Sequence, residues 1–329
     1  MLTTVLTLIT TLASADTTVP VGALLVVTNK QEASASLIDP ATGATVATVP
    51  TGEGPHEVAI TRDGRRAVVA DYGAQSPGGT LTVIDLERRA VEQTISLGVH
   101  RRPHGIVVLP GDERVAVTSE TSRMVLIVHL DAGLVEQEIP TGEPGSHMVA
   151  VTADGRRGYT ANIGSGSITE LDIVGATARR TLPVAQRTEG VGVTPDGSQV
   201  WVGSNTEHTV TVVDVATWRA VDTLAAPGLP YRVSISADGR TAVVPTPMSD
   251  AIRVFDVATR EARGTVTFSG GQPVGTVITP DGAYAFVSLQ GSTEAAMVDL
   301  RTLREVRRFR TGAGPDGIAV RWAPPAGGN

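Results

Sequence analysis

One position of a repeated six-residue motif carries side chains that could bind a metal ion or move a proton. The motif starts at Pro55-His56-Glu57 and returns six times, at steps of 42 or 43 residues after one longer step of 48. Its second position holds, in chain order, His56, His104, His147, Glu189, Tyr231, Val274 and Asp316. Imidazole and carboxylate groups are common ligands of Zn, Cu and Fe. They are also common general acids and bases.

Three interpretations of these residues stay open. In the first, His56, His104 and His147 bind a divalent metal whose open position activates water. In the second, no tightly bound metal is needed and His104 or His147 is a general base. Glu189 or Tyr231 is then the general acid. In the third, the histidines only fasten neighbouring repeats together through hydrogen bonds.

Basic residues beside the motif extend the candidate site. Arg102 and Arg187 could hold a carboxylate substrate, because a guanidinium pairs with a carboxylate through two parallel hydrogen bonds. The predicted ligand-binding residues are His56, Arg102, His104, His147, Arg187, Glu189, Tyr231 and Asp316. Glu57 and Arg232 are further neighbours of the same positions. Convergent polar groups of this kind favour a pocket.

The residues around the motif predict four short β-strands in each repeat. The motif itself is an apolar strand that runs into a turn such as Arg62-Asp63-Gly64 or Pro195-Asp196-Gly197. Asp-Gly favours a turn because Gly adopts positive φ and Asp bonds its own backbone. A second strand, a third and a fourth follow, without a helical period. Four strands in about 42 residues are typical of a β-propeller blade.

The two ends of the sequence complete one blade between them. Residues 22–50 supply three strands without a first one, and residues 315–320 supply a first strand alone. The sequence therefore predicts an all-β, seven-bladed β-propeller, closed by N-terminal strands that pair with the C-terminal strand. First strands line the central channel, so the second-position residues form a ring there. Residues 16–322 are predicted to be a single domain, and residues 323–329 a disordered tail.

The first fifteen residues read as an export signal. They are apolar with interspersed Thr, carry no charged side chain and end in Ala13-Ser14-Ala15, a small-x-small cleavage site. The mature chain would start at Asp16 in the periplasm or outside the cell. The alternative is a buried first strand, because Thr and Val also suit strands.

Composition narrows the ligands and partners. The net charge of −7 and the aromatic content of 3% argue against a nucleic-acid partner. The body lacks an apolar run of about 18 residues, so a transmembrane protein is not expected. The absence of cysteine excludes disulfides and thiolate metal sites, and it leads to the expectation of no c-type haem. A divalent metal stays possible as a cofactor.

The second strands resemble a known repeat. Val26-Val27-Thr28-Asn29 and Tyr159-Thr160-Ala161-Asn162 are similar to the YVTN-type propeller repeat, and Trp201-Val202-Gly203-Ser204-Asn205 is a related variant. Thr-Pro-Asp-Gly at 194–197 and 279–282 looks like the turn of the same family. The resemblance implies an exported bacterial or archaeal propeller. Similar propellers include lactonases, a streptogramin lyase, copper reductases and quinoprotein dehydrogenases.

Taken together, these patterns predict a ligand- or partner-binding protein of the cell envelope with its site at the channel mouth. Its partner would be another protein or a small molecule, and the chain is expected to be a monomer. The alternative is a propeller enzyme of the lyase or lactonase kind, with or without a divalent metal, whose catalytic candidates are His104, His147, Glu189 and Tyr231. A scaffold whose channel has no chemical role is the third possibility.

Overall fold

Residues 19–322, which the computed structural model describes, fold into seven four-stranded antiparallel sheets. The first strands are β4 (Pro55–Ile60), β8 (Pro103–Val108), β12 (Ser146–Val151), β16 (Thr188–Val193), β20 (Ser234–Ile235), β24 (Pro273–Ile278) and β28 (Pro315–Arg321). The second strands are β1 (Leu24–Asn29), β5 (Arg66–Gly73), β9 (Arg114–Ser119), β13 (Arg157–Asn162), β17 (Gln199–Ser204), β21 (Thr241–Thr246) and β25 (Tyr284–Leu289). The third strands are β2 (Ser34–Ile38), β6 (Pro77–Asp85), β10 (Met124–His129), β14 (Ser167–Asp172), β18 (Thr209–Asp214), β22 (Ala251–Asp256) and β26 (Glu294–Asp299). The fourth strands are β3 (Thr45–Pro50), β7 (Ala90–Ser96), β11 (Leu134–Pro140), β15 (Thr177–Pro183), β19 (Arg219–Ala225), β23 (Ala262–Thr267) and β27 (Arg304–Arg310), and one turn of 3-10 helix, η1 (Pro247–Ser249), follows β21.

The seven sheets close into a ring. Each first strand contacts the first strand of the next sheet, from β4 through β8, β12, β16, β20 and β24 to β28, and β28 contacts β4 again. The first strands therefore surround a central axis, and the sheets radiate from it as blades. We number the blades 1 to 6 from β4–β7 to β24–β27, and call the sheet β28-β1-β2-β3 the closing blade.

The closing blade joins the two ends of the described chain. Leu25 pairs with Val320 and Val26 with Ala319 across the antiparallel β1–β28 ladder. This pairing confirms the predicted all-β, seven-bladed propeller and its mode of closure. The signal peptide at 1–15 and the tail at 323–329 lie outside the described residues, and the domain boundaries 16–322 stay a prediction. In the described part of the chain, no helix is long and apolar enough to span a membrane.

The core lies between neighbouring blades. Second and third strands bury both faces, as in β1, where every residue is buried. The side chains that fill the gaps are mostly β-branched or Leu, which pack well on a pleated surface. Fourth strands are largely exposed, and five of the seven have one buried residue, such as Val49 or Ile95. This arrangement fixes the first strands rigidly around the channel.

Every fourth strand carries a β-bulge opposite its third strand. In blade 3, for example, Glu170 pairs with Arg180 and Leu171 with Ala178, so Arg179 is the extra residue. A bulge lets two consecutive side chains face the same neighbour. The seven bulged residues are Val46, Glu92, Glu136, Arg179, Val221, Arg263 and Val306.

Blade 5 departs from the predicted strand pattern. The motif predicts a first strand over residues 230–235, but only Ser234–Ile235 is a strand. Pro245 on the neighbouring second strand has no N–H to donate, so the ladder is interrupted there. One bond remains, from the Tyr231 N–H to the Pro245 carbonyl at 3.0 Å. Tyr231 and Arg232 therefore lie on a segment that is not held by a regular ladder.

Candidate ligand site at the channel mouth

Three histidines of the repeated motif stack side by side at one end of the channel. His56, His104 and His147 come from the first strands of blades 1, 2 and 3, and all three are buried. Their ring centroids are 4.0 Å apart for His56 and His104, and 3.7 Å apart for His104 and His147. The structure therefore brings these sequence-predicted residues together. We call the seven second-position residues the channel ring.

The nitrogens of His56 and His104 approach closely. The two Nε2 atoms are 3.2 Å apart, and Lys30 Nζ is 2.8 Å from His56 Nε2. An ammonium group can only donate, so His56 Nε2 accepts and the proton of neutral His56 is assigned to Nδ1. The Nδ1 atoms of both histidines are buried without a hydrogen-bond partner among the described residues.

Burial keeps these two imidazoles neutral. Loss of solvation lowers the pKa of His56 well below its usual 6.5, although the nearby Asp316 carboxylate opposes this. Burial also lowers the pKa of His104 well below 6.5, and the positive charge of His147 adds to the effect. Both imidazoles therefore lack a positive charge at neutral pH, and the one lone pair of His56, on Nε2, already accepts from Lys30.

His147 differs because two carboxylates hold it. Its Nε2 is 2.7 Å from Glu189 Oε1, and its Nδ1 is hydrogen-bonded to Glu120. Burial alone would lower its pKa, but Glu189 and Glu120 raise it to about 9. Burial would raise the pKa of Glu189, but His147 and Arg232 lower it to about 2. His147 is therefore a cation over the neutral pH range.

Arg232 crosses the channel from blade 5. Its Nε donates to Glu57 Oε1 of blade 1 at 2.8 Å, and its Nη1 lies 3.4 Å from Glu189 Oε1 of blade 4. The guanidinium is buried, and it lies 4.4 Å from the centroid of the Tyr231 ring. Arg232 therefore links blade 5 to blades 1 and 4 across the channel.

Asp316 brings a carboxylate from the closing blade. It is fully buried, and its Oδ2 accepts from Lys30 Nζ at 3.1 Å and from Gln290 Nε2 at 3.2 Å. His56 Nδ1 lies 3.3 Å from the same oxygen. Oδ1 has no partner among the described residues. The predicted ring is thus continuous across the point of closure.

A second ring of residues supports the channel ring, and the sequence interpretation missed it. Each of them follows the residue that corresponds to Asn29 in its second strand. They are Lys30, Tyr72, Glu120, Ile163, Asn205, Pro247 and Gln290. The Tyr72 hydroxyl donates to Glu120 at 2.8 Å, and Asn205 Nδ2 donates to Glu189 at 2.9 Å. The register reasoning that found the channel ring, applied to this position, would have found these residues.

The two predicted arginines at the rim have different surroundings. Both occupy the position just before the repeated motif, where all seven residues adopt positive φ: Gly54, Arg102, Gly145, Arg187, Leu229, Gln272 and Gly314. Arg102 is half-buried, and its guanidinium lies 4.6 Å from the Tyr72 ring centroid. Arg187 is exposed. The structure thus links Arg102 to the histidine cluster through Tyr72, whose ring centroid is 5.2 Å from that of His56. Arg187 makes no such aromatic contact among the described residues.

Tyr231 is a poor candidate for the general acid. Its ring packs on Arg232, and it is half-buried. Burial raises the pKa of its phenol well above 10, although the positive charge of Arg232 opposes this. The phenol therefore gives up its proton less readily than an exposed tyrosine does.

Two groups of side chains place possible metal ligands close together. One group is His56, Glu57 and His104, and the other is His104, Glu120 and His147. The ligand atoms within each group lie within 4.8 Å of one another. His104 belongs to both. In the first group both histidines are neutral, although Glu57 pairs with Arg232 and His56 with Lys30. In the second group His147 is a cation, so the first group is the better metal-ligand set.

Comparison with known proteins places this geometry in context. Residues 185–320 match a family model described as "Cytochrome D1 heme domain". The structure is similar to a solved structure of hydrazine synthase from Kuenenia stuttgartiensis, with a TM-score of 0.71 and 17% identity over 83% of this chain and 96% of that chain. A search of the curated proteins found no match. The matches support the seven-bladed propeller, and the YVTN-type family stays a prediction.

The family match corrects one prediction. The absence of cysteine led to the expectation of no c-type haem, but the matched model is described as a haem domain. Cysteine is needed only for the thioether bonds that attach c-type haem covalently. Its absence does not argue against a haem whose iron is ligated by histidine. The prediction of no c-type haem is therefore contradicted, and haem is added to the candidate ligands.

Proposed function

We propose that the channel mouth binds a transition-metal centre through His56 and His104. The observation that carries this proposal is the 3.2 Å separation of their Nε2 atoms. Two imidazoles on one tetrahedral ion, at bonds of about 2.0–2.1 Å, would have nitrogens about 3.3 Å apart. Glu57 offers a carboxylate oxygen within the same group.

The electrostatics of the site support this function. A metal binds the neutral imidazole, and burial keeps His56 and His104 in that form. Lys30 Nζ holds His56 Nε2 at 2.8 Å and competes with a metal for the same lone pair. One cation would therefore replace another, and the Asp316 carboxylate that Lys30 contacts would remain beside the site.

The metal centre has two possible sources, a free ion or the iron of haem. The match of residues 185–320 to the haem-domain model supports haem as the second source. Haem iron would use a different donor from the free ion, the unpartnered Nδ1 of His104 alone, because imidazole is a common ligand of haem iron. Arg102 and Arg187 at the rim are cations suited to the carboxylates of a haem. Bound haem would supply an iron that binds small ligands or exchanges electrons.

An enzyme of the lyase or lactonase kind is the alternative function. His147 is a cation at neutral pH, so it cannot act as a general base there. The raised pKa of Tyr231 makes it a weak acid catalyst. His104 is the neutral histidine that such an enzyme would use. These properties favour binding over acid–base catalysis by His147 and Tyr231.

The proposed setting follows from the N-terminal sequence. We propose an exported, monomeric propeller, because residues 1–15 have the pattern of a cleaved signal and the propeller closes on itself. The ligand is a metal centre, and any protein partner would then contact the rim of the mouth.

Metal and haem binding to His104→Ala protein tests the proposal. The full chain would be purified without a His tag, stripped with EDTA, and then loaded separately with Zn, Cu or Fe and with haemin. Metal is measured by mass spectrometry after desalting, and haem by its Soret absorbance. We expect one equivalent of a metal or of haem in the wild type, and at least about tenfold weaker binding in the variant.

The matched control is His129→Asp. His129 lies at the end of β10, and the equivalent residue in most other blades is Asp. This control removes a histidine outside the channel, so it should bind like the wild type. Retention of metal alone identifies a free ion, and Soret absorbance identifies haem. Equal binding by the wild type and His104→Ala, or no binding of either ligand by the wild type, would contradict the proposal.

A further inference from the structure

The outer face of blade 3 breaks a charge pattern that blades 1 and 2 share. In blade 1, Arg66 at the start of the second strand forms a bidentate pair with the bulged Glu92, at 2.9 and 2.8 Å. In blade 2, Arg114 pairs in the same way with the bulged Glu136, at 2.5 and 3.1 Å. Blade 3 has Arg157 at the first of these positions, but its bulged residue is Arg179. Two positive charges therefore stand where blades 1 and 2 have an ion pair.

A buried carboxylate in blade 3 has no counterpart in the other blades. Glu170 pairs with Tyr159 across β13 and β14, and its side chain is buried. The six equivalent residues of the other blades are all apolar: Leu37, Val83, Ile127, Val212, Val254 and Met297. A buried carboxylate is costly unless it is paired. Its presence at a position that is otherwise apolar points to a polar site built into this blade.

Glu170 fixes one of the arginines. Arg180 Nε donates to Glu170 Oε2 at 2.5 Å, and its Nη2 donates to the Val215 carbonyl of blade 4 at 3.0 Å. The Trp218 ring supports the guanidinium from 4.2 Å. Arg180 is therefore held in place while its Nη1 has no hydrogen-bond partner among residues 19–322. A positioned guanidinium with a free N–H group is ready to bind an oxyanion.

Two other arginines complete the cleft. Arg157, Arg179, Arg180 and Glu170 line a cleft of about 540 Å³. Arg157 Nη1 is 3.8 Å from Glu170, and the Arg179 guanidinium has no partner among the described residues. The lining carries three positive charges and one negative charge in a protein with a net charge of −7. Two uncompensated charges match a dianion.

We propose that this cleft binds a phosphate group, either as inorganic phosphate or as the phosphomonoester of a larger molecule. A phosphomonoester is a dianion above its second pKa of about 6, and inorganic phosphate is mainly a dianion at pH 8. Both accept paired hydrogen bonds from guanidinium groups. The proposal does not depend on the function proposed for the channel mouth, because the cleft lies on the outer strands of blade 3.

Arg179→Glu in the full chain is the sharpest test, because it restores the ion pair of blades 1 and 2. Binding would be measured by calorimetry at pH 8, with phosphate titrated at a constant ionic strength set by chloride. We expect one phosphate per wild-type chain. The variant should bind at least about tenfold more weakly, since it loses a charge-assisted hydrogen bond and gains a like charge.

Arg304→Glu is the control, because it makes the same change of charge at an exposed residue of blade 6. It should bind phosphate like the wild type. Titration with glycerol phosphate separates the two sources: equal affinity indicates a phosphomonoester, and binding of the free ion alone indicates inorganic phosphate. No binding by the wild type, or an equal loss in Arg304→Glu and Arg179→Glu, would overturn the proposal.

Discussion

The channel mouth and the blade 3 cleft both depart from the repeat, but they differ in how their charges are compensated. The mouth holds four cationic groups and four carboxylates: Lys30, Arg102, His147 and Arg232, and Glu57, Glu120, Glu189 and Asp316. The cleft has three guanidinium groups and one carboxylate. A site with equal numbers of positive and negative groups can exchange one cation for another. A site with an excess of positive charge needs an added anion. The difference predicts a metal centre in one place and a phosphate group in the other.

Removing Arg232 should give the largest effect on stability, because it destroys the balance at the mouth. Arg232→Met removes the buried guanidinium that Glu57 and Glu189 share, and Glu189 keeps only His147 and Asn205. Breaking a buried ion pair from one side costs about 3–5 kcal/mol. Urea unfolding of the metal-free protein would measure the change in the free energy of unfolding.

Arg187→Gly is the control for that experiment. Arg187 is exposed at the same rim and has φ of +50°, which Gly adopts without strain. We expect no loss of stability. A cost for Arg232→Met that is as small as this control would show that the cross-channel pairs do not hold the blades together.

Asp71 in blade 1 is a third departure from the repeat. Hydrogen bonds offset only part of the cost of burying its carboxylate. It occupies the register of Asn29 and Asn162, whose amides donate to hydroxyls of the next strand. Burial raises the pKa of Asp71 from 3.8 to about 6, although hydrogen bonds from Thr80 and Thr82 oppose this. Asp71→Asn should therefore stabilise the protein at pH 7 by up to about 3 kcal/mol, since one pKa unit corresponds to about 1.4 kcal/mol.

The pH dependence of stability tests this explanation of the Asp71→Asn effect. The folded state holds the Asp71 proton more tightly than the unfolded state, whose pKa is near 3.8. The wild type therefore loses stability as pH rises from about 4 to 6, and the loss is constant above that range. Thermal unfolding of both proteins across this range should show the gap opening between pH 4 and 6. A gap that is independent of pH would rule out this account.

Glu92→Arg should have the smallest effect on stability of these variants. It gives blade 1 two arginines at the positions that Arg157 and Arg179 occupy in blade 3. It breaks the exposed pair with Arg66 and places two guanidinium groups together. Exposed pairs contribute about 0.2–1 kcal/mol, and like charges cost a similar amount, so we expect a loss of about 1 kcal/mol. The variant should not gain phosphate binding, because Val83 stands where blade 3 has Glu170. Phosphate binding by this variant would show that arginines alone make the site.

The fold could be predicted from the sequence because the repeat is regular. The register of His56, His104 and His147 on first strands followed from their motif, and the structure brings all three together. The shortened first strand of blade 5 was missed because its cause, Pro245, lies on the neighbouring strand. The local pattern of residues 230–235 does not contain that information.

The contacts of the site were harder to predict. Glu57 and Arg232 are 175 residues apart, and their pairing depends on the diameter of the closed ring. Lys30, Tyr72 and Glu120 follow second strands of unrelated local sequence, so only their common register connects them. Arg187 shares its register with Arg102 but does not share its surroundings, because Tyr72 is present only beside Arg102.

The place of Asp316 on the last strand links the site to the order of chain synthesis. Its carboxylate reaches Lys30 and His56 only after β28 has paired with β1. A nascent chain that lacks residues 315–321 has an open blade edge and an unfinished mouth, whatever blades have already folded. Loading of the proposed ligand at the mouth would therefore be delayed until translation has passed Arg321. Products of premature termination would be recognisable by their exposed β1 edge and by their inability to take up the ligand.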